Sequence, residues 1–334
     1  MRICVFGAGA VGGHLAAKFA AAGHEVSVVA RGANLQGIRE NGIALREGAR
    51  TIAGRVRASD RAADLGPQDA VFVTTKATGL AAIADAAAPL AGAARDSQTM
   101  FVFVQNGIPW WYAQGLRASR PRPPDLSRLD PGGMLARAIA RERVIGAVAY
   151  SSNDLVGPGS VVNFSEGRNM LVLGEIDDRQ SARIAALRET VNAAGMYSPP
   201  ATDIRVSVWN KLLLNFGSTL CVPLGEPISA LMTDPALRAV RERLLAEGRA
   251  IAEAHGVNPG DAPQRPGGAQ TVGATAHKPS MLQDYELGRP MEVDAILALP
   301  CAFAQAAGVD APTLQALSAV TARLAARKGL YSPQ

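Results

Sequence analysis

Lys211 and Asn215 stand four residues apart in Trp209-Asn210-Lys211-Leu212-Leu213-Leu214-Asn215. That spacing puts both on one face of a helix. An ammonium beside an amide can stabilise an oxygen on which negative charge develops, and can donate a proton to it. Thr219 continues the same face. Further on, Lys278-Pro279-Ser280-Met281-Leu282-Gln283-Asp284 precedes Arg289-Pro290-Met291-Glu292-Val293-Asp294, adding a hydroxyl at Ser280 and a carboxylate at Glu292. From spacing alone, a lysine among leucines equally suits a side chain that reaches out to water. The carboxylates equally suit charges at helix ends.

A second kind of chemistry stands at the other end of the chain. The apolar run Arg2–Phe6 leads into Gly7-Ala8-Gly9-Ala10-Val11-Gly12 and then an Ala-rich helical pattern. Gly7 permits a tight turn, Gly9 lets the backbone approach a pyrophosphate, and Gly12 lets the helix pack on the strand. The free N–H groups and positive dipole end of that helix favour the phosphates. The following strand ends Val28-Val29-Ala30-Arg31-Gly32, with no carboxylate to take the ribose hydroxyls. Glu25 lies at the strand's start, the wrong end. Arg31 suits a 2′-phosphate and can stack on adenine, so the pattern predicts NADP(H) rather than NAD(H). Two later strands end at Thr74-Thr75-Lys76 and at Val104-Gln105-Asn106-Gly107. Lys76 and Asn106 therefore fall at carboxyl ends of strands, which face the ligand crevice of such folds. Alone, Lys76 also reads as a surface lysine and Asn106-Gly107 as an ordinary turn.

These groups need a scaffold, and the chain is long enough for two domains. It has 334 residues, of which 48% are hydrophobic and 19% charged, which excludes a disordered chain. The net charge of +5 is mild, and no dense basic run argues for nucleic acid. Cys4, Cys221 and Cys301 lie far apart, arguing against a disulfide framework or structural zinc, and no metal-ligand spacing is visible. The N-terminal residues lack a secretory pattern and no stretch reads as a membrane span, so the expectation is a cytoplasmic chain.

Strands at Arg2–Phe6, His24–Ala30, Ala70–Thr75 and Met100–Val104 alternate with helical segments, which predicts a parallel α/β sheet. Leu116–Gly133, with four prolines, reads as a long loop, mobile or folded over the site as a lid. Strand-like segments at Val144–Tyr150, Gly159–Phe164 and Met170–Leu173 suggest hairpins at the sheet edge. From Asp203 the pattern is helical. The predicted organisation is a Rossmann-type dinucleotide-binding domain over residues 1–201 and an all-helical domain over 202–334.

Taken in order, these motifs resemble the ketopantoate reductase (2-dehydropantoate 2-reductase) family. The resemblance rests on GAGAVGG, Arg31-Gly32, TTKA, VQNG, W-x-K-L-x-x-N, HKPSMLQD and GRPMEVD, and spans residues 1 to about 294. It implies a Rossmann domain, a helical C-terminal domain and an active site in the cleft between them. It implies NADPH-dependent reduction of ketopantoate, a 2-oxo acid, to pantoate on the route to pantothenate and coenzyme A. Lys211 matches the catalytic lysine, and Glu292 the carboxylate that takes the substrate hydroxyl. Asn106, Asn215 and Ser280 match polar substrate contacts. The turn Gly7–Gly12, Arg31, Lys76 and Asn106 match the cofactor site. A small-molecule partner is implied, and a homodimer stays open. Two other readings remain: reduction of a different 2-oxo acid, or an NADP(H)-binding sensor without turnover. Three departures bear on them. Thr219 replaces a second Asn, Trp110-Trp111-Tyr112 opens a longer insertion, and Pro300 is expected to kink or break the helix after Glu292.

If Arg31 meets a 2′-phosphate, Arg31→Ala should weaken NADPH much more than NADH, by about 1.5–3 kcal/mol. Titration of both cofactors checks this, and equal weakening would give Arg31 another role.

Overall fold

The computed structural model describes residues 1–92, 98–260 and 278–333. The chain forms two compact units. The first contains residues 1–105 and 132–204. The second contains 106–131 and the helical residues from 205 onward.

In the first unit, a seven-stranded sheet has the order β11-β8-β7-β6-β1-β2-β5. Its strands are β1 (Arg2–Phe6), β2 (Glu25–Val29), β5 (Arg57–Ser59), β6 (Ala70–Val73), β7 (Met100–Val104), β8 (Val144–Tyr150) and β11 (Met170–Glu175). All neighbours are parallel except β11, which runs antiparallel to β8 at the edge. β1, β6 and β7 are almost wholly apolar and buried, as strands covered on both faces must be. Helices α1 (Ala10–Ala21), α2 (Gly32–Asn41), α3 (Ala81–Ala91), α4 (Met134–Ala138) and α5 (Ala182–Ala193) complete the unit.

A second sheet was not expected. It has the order β4-β3-β10-β9, built from β3 (Ile43–Glu47), β4 (Arg50–Gly54), β9 (Asn153–Gly157) and β10 (Ser160–Asn163). The segment 159–164, read as a hairpin at the main sheet's edge, instead pairs with β9 and β3 here. Helix α1 packs against both sheets. It is buried from Gly12 through Phe19, and small residues make that fit. A Cβ on Gly13 would lie 2.6 Å from Val161 Cγ2.

The α1 face toward the second sheet carries charge. Lys18 Nζ lies 2.5 Å from Glu47 Oε2, and both residues are buried. Asn169 Nδ2 donates to Glu47 Oε1 at 2.9 Å, and Asn163 and Asn169 exchange amide hydrogen bonds. His14, also buried, lies 3.8 Å from Glu47. Burial, aided by the Lys18 charge, pushes the His14 imidazole down to about 3, so it is neutral at physiological pH.

The second unit holds α6 (Ile204–Thr219, of which Ile204 belongs to the first unit), α7 (Cys221–Leu224), α8 (Ile228–Thr233), α9 (Pro235–Ala254), α10 (Ser280–Glu286), α11 (Leu299–Ala307) and α12 (Pro312–Arg327). Residues 106–131, placed by sequence within the 1–201 domain, pack here. Arg205, fully buried on α6, donates to the carbonyls of Tyr112 and Gln114, and its guanidinium lies over the rings of Trp111 and Tyr112. Trp209 Nε1 donates to the Tyr112 hydroxyl at 2.7 Å. Phe303 of α11 meets both rings edge-on. Leu126 and Leu129 are buried, and Arg128 pairs with Asp294 at 2.8 Å. Within the Pro-rich segment 116–133, expected to be mobile or to pack as a lid, residues 126–129 are held, Leu126 and Leu129 by burial and Arg128 by Asp294.

Pro300 does not break its helix. Helical dihedrals run from Val293 through Leu299, and Asp294–Ala298 is wound as a π-turn. Pro300 has no N–H to offer the carbonyls of the preceding turn. One of those, Ala295 O, instead accepts the Ile108 N–H at 2.8 Å.

Glu47→Leu should cost about 3 kcal/mol or more, because Lys18 is left as a buried, unpaired charge. Adding Lys18→Met should recover most of that loss. Urea unfolding of the single and double variants tests this, and a double variant as unstable as the single would exclude ion pairing as the cause.

Candidate functional site

In the first unit, the glycine turn sits where β1 ends, next to the ends of β2 and β6. Gly7 has φ +106°, and a Cβ there would lie 2.8 Å from Thr75 Cγ2. A Cβ on Gly12 would lie 1.9 Å from the Gly7 carbonyl oxygen. Gly9 differs, because nothing lies within 4 Å of the place its Cβ would take. The turn is closed where the protein packs on itself and open where a ligand would approach. Thr74 Oγ1 donates to the Gly7 carbonyl at 2.6 Å. Asn34 braces the turn from α2: its Nδ2 donates to the Ala8 carbonyl at 2.7 Å and its Oδ1 accepts the Gly159 N–H at 2.8 Å. The Thr75 hydroxyl is buried with no partner among the described residues. Open space at Gly9 and free N–H groups opening α1 suit a dinucleotide pyrophosphate.

Arg31 is exposed and caps α2 at the end of β2. The Ala30 N–H beside it bonds to Ser59 O of the neighbouring strand β5. Lys76 is half-buried and caps the short turn Ala77–Gly79 after β6. Both fall at carboxyl ends of strands flanking the glycine turn.

In the second unit, Lys211 and Asn215 lie on one face of α6 and are half-buried. Burial pushes the Lys211 ammonium down to about 8. It therefore keeps its proton at neutral pH but yields it more readily than an exposed lysine. The Asn215 Nδ2 group is buried without a partner among the described residues, a donor held in reserve on the same face. One turn on, Thr219 is buried, and its hydroxyl donates to the Asn215 carbonyl at 2.8 Å. It also lies 3.8 Å from Met281 Sδ. That contact ties α10, which begins at the exposed Ser280, to the end of α6.

Asn106 and Glu292 are linked through their neighbours. Gly107, at φ +76°, lies so close to Ala295 that a Cβ would sit 2.4 Å from its carbonyl oxygen. That contact and the Ile108–Ala295 hydrogen bond hold the Asn106 turn against the π-turn that follows the half-buried Glu292. Sequence reasoning did not single out Asn34, Thr75, Gln105 or Arg205. Thr75 and Gln105 stood within the quoted motifs TTKA and VQNG, whereas Asn34 and Arg205 act through contacts that spacing does not encode.

The chain also matches known proteins. Residues 3–118 fit the family model described as ketopantoate reductase PanE/ApbA, and residues 203–325 fit its C-terminal counterpart. The chain belongs to the ketopantoate reductase family. A 2-dehydropantoate 2-reductase of Mesorhizobium japonicum is 39% identical over 99% of this chain and 100% of that protein. A Ralstonia solanacearum MolK2 crystal structure, assigned to the ketopantoate reductases, is 34% identical with a TM-score of 0.85, covering 99% of each chain. A D-mandelate dehydrogenase complex with NADH and anilino(oxo)acetate shares the fold at 19% identity and a TM-score of 0.79, covering 99% of this chain and 100% of that one. The family is one of pyridine-nucleotide-dependent oxidoreductases. Among the described residues, no helix is long and apolar enough to cross a membrane, and no group of three His, Cys, Asp or Glu could hold a metal.

The sign of the Lys211 shift sets two pH effects. Activity that needs the ammonium should fall as pH rises through about 8. Below that pH both folded and unfolded chains carry the charge, and the fold bears the desolvation penalty. Above it the folded chain sheds the proton while the unfolded lysine keeps its own to about 10.4, so the Lys211 contribution to stability improves across that window. Subtracting a Lys211→Met variant from wild type in melts at pH 7 to 10 should isolate this rise, and a flat difference would contradict it.

Proposed function

We propose that this chain reduces 2-dehydropantoate to pantoate with NADPH, a step that supplies pantothenate. The observation that carries the reading is Lys211, half-buried with a lowered pKa, one helical turn from the unsatisfied amide of Asn215.

When bound, the reduced nicotinamide supplies a hydride to the ketone carbon. Gly7 to Gly12 would hold the pyrophosphate, Arg31 would pair with the 2′-phosphate, and Lys76 would serve the same cofactor. The Lys211 ammonium donates a hydrogen bond to the ketone oxygen and gives it a proton as charge develops there. Asn215 supplies a further donor, and Asn106 and Ser280 orient the substrate. Glu292 accepts a hydrogen bond from the substrate hydroxyl and fixes which face of the ketone is presented. Thr219 spends its hydroxyl on the Asn215 carbonyl, so recognition at that turn passes to its neighbours.

Lys211→Ala should lower kcat by about two to four orders of magnitude while NADPH affinity changes little. Glu292→Ala should impair ketopantoate reduction far more than reduction of a 2-oxo acid without a hydroxyl. Steady-state kinetics over a panel of 2-oxo acids reads both. Near-normal kcat in Lys211→Ala would remove the acid from the mechanism, and equal losses on both substrates would assign Glu292 to structure.

A further inference from the structure

Gln105 directly follows β7, and both its amide oxygen and its amide nitrogen are buried without a hydrogen-bond partner among the described residues. Buried polar groups are almost always satisfied, so an amide with neither end bonded calls for an explanation. The strand register supplies one. Phe6 pairs with Val73, and Val73 with Phe103, so β1 and β6 end on one row and β7 runs one residue further. Gly7 stands one residue beyond that row, and Thr75 and Gln105 two beyond it, so all three lie at the carboxyl ends of three adjacent strands. The Thr75 hydroxyl there is also buried without a partner.

A dinucleotide centred on the glycine turn of β1 has two directions to lie in. Arg31 closes β2, on one side of β1, and suits the adenosine half. The other half must then lie over β6 and β7. Neighbouring strands are about 4.8 Å apart, which puts β7 about 10 Å from the turn, roughly the reach of one nucleoside. We infer that Gln105, seconded by Thr75, binds the nicotinamide nucleoside of the cofactor. A primary amide gives and takes one hydrogen bond in the same plane, which matches the carboxamide of that nucleoside and equally serves its ribose hydroxyls. Asp, Glu, Lys or Arg at this position would put a net charge beside a ring whose own charge changes on oxidation. The amide binds without biasing either redox state.

The inference rests on the cofactor reading above, and calorimetry separates the two. Three ligands are titrated into wild type and Gln105→Met: NADPH, NADH and adenosine 2′,5′-bisphosphate, which lacks the nicotinamide half. NADPH should bind about three- to tenfold more weakly to the variant, the range for one or two neutral hydrogen bonds. Adenosine 2′,5′-bisphosphate should bind both proteins alike. Cofactor-free Gln105→Met should melt at the same temperature as wild type or higher, because an unsatisfied buried amide has been removed, and its stabilisation by NADPH should shrink. Unchanged NADPH affinity would mean that Gln105 meets only water, and the inference fails. Equal weakening of NADPH and the bisphosphate would mean a disturbed glycine turn, and it fails again. A lower melting temperature without cofactor would make the side chain a packing element, which also overturns the inference. A wild-type protein that prefers NADH overturns the NADPH reading alone, and Gln105 is then judged by NADH against ADP on the same criteria.

Discussion

A Cβ on Gly12 would come within 1.9 Å of the Gly7 carbonyl oxygen, and much of the first unit depends on that closeness. Helix α1 can start immediately beyond β1 only because no side chain intervenes. Starting there, it points its unbonded N–H groups at the space open beside Gly9. Its small residues let a second sheet close over its far side, so the helix is buried almost all round. Burial then fixes what the remaining polar positions must be. Lys18 is tolerated because Glu47 meets it, the other Glu47 oxygen being bonded by Asn169, and His14 because it stays neutral.

The parts of this arrangement that the sequence displayed were those with a strong period or a steric signature. The run from Arg2 to Phe6, the spaced glycines and the wholly apolar β6 and β7 are legible because burial on both faces removes polar residues from the pattern. The second sheet was not, for the opposite reason. Ile43-Ala44-Leu45-Arg46-Glu47 and Arg50-Thr51-Ile52-Ala53-Gly54 are short, charged and half exposed, and nothing local distinguishes them from a loop. Helix α5 escaped notice for lack of a clear apolar stripe. Lys211 and Asn215 could be paired from spacing, because a helix imposes its own geometry on residues four apart. Their link to Ser280 through Thr219 and Met281 needed the tertiary fold.

Pro300 shows how a local rule can hold while its expected outcome does not. The proline does remove a donor, but a π-turn absorbs the change and the orphaned demand is met from a distant segment. The freed Ala295 carbonyl becomes the anchor for the turn that carries Asn106. Helix propensity alone does not explain this part of the site. Each carbonyl must find a donor, wherever the chain can bring one.

The placement of residues 106–131 among the C-terminal helices has a consequence for biosynthesis. Trp111 and Tyr112 leave the ribosome long before Arg205, Trp209 and Phe303, which pack on them. Roughly 190 residues separate Tyr112 from Phe303. At ordinary elongation rates of about 5–20 residues per second, that leaves Tyr112 without the last of these partners for about 10–40 s. In that interval the nascent chain presents a sticky apolar segment in the middle of a sequence whose first strands can already pair. Proline-rich flanks with interspersed arginines, at residues 117–124, suit that interval, since they resist the β-stacking by which such segments aggregate.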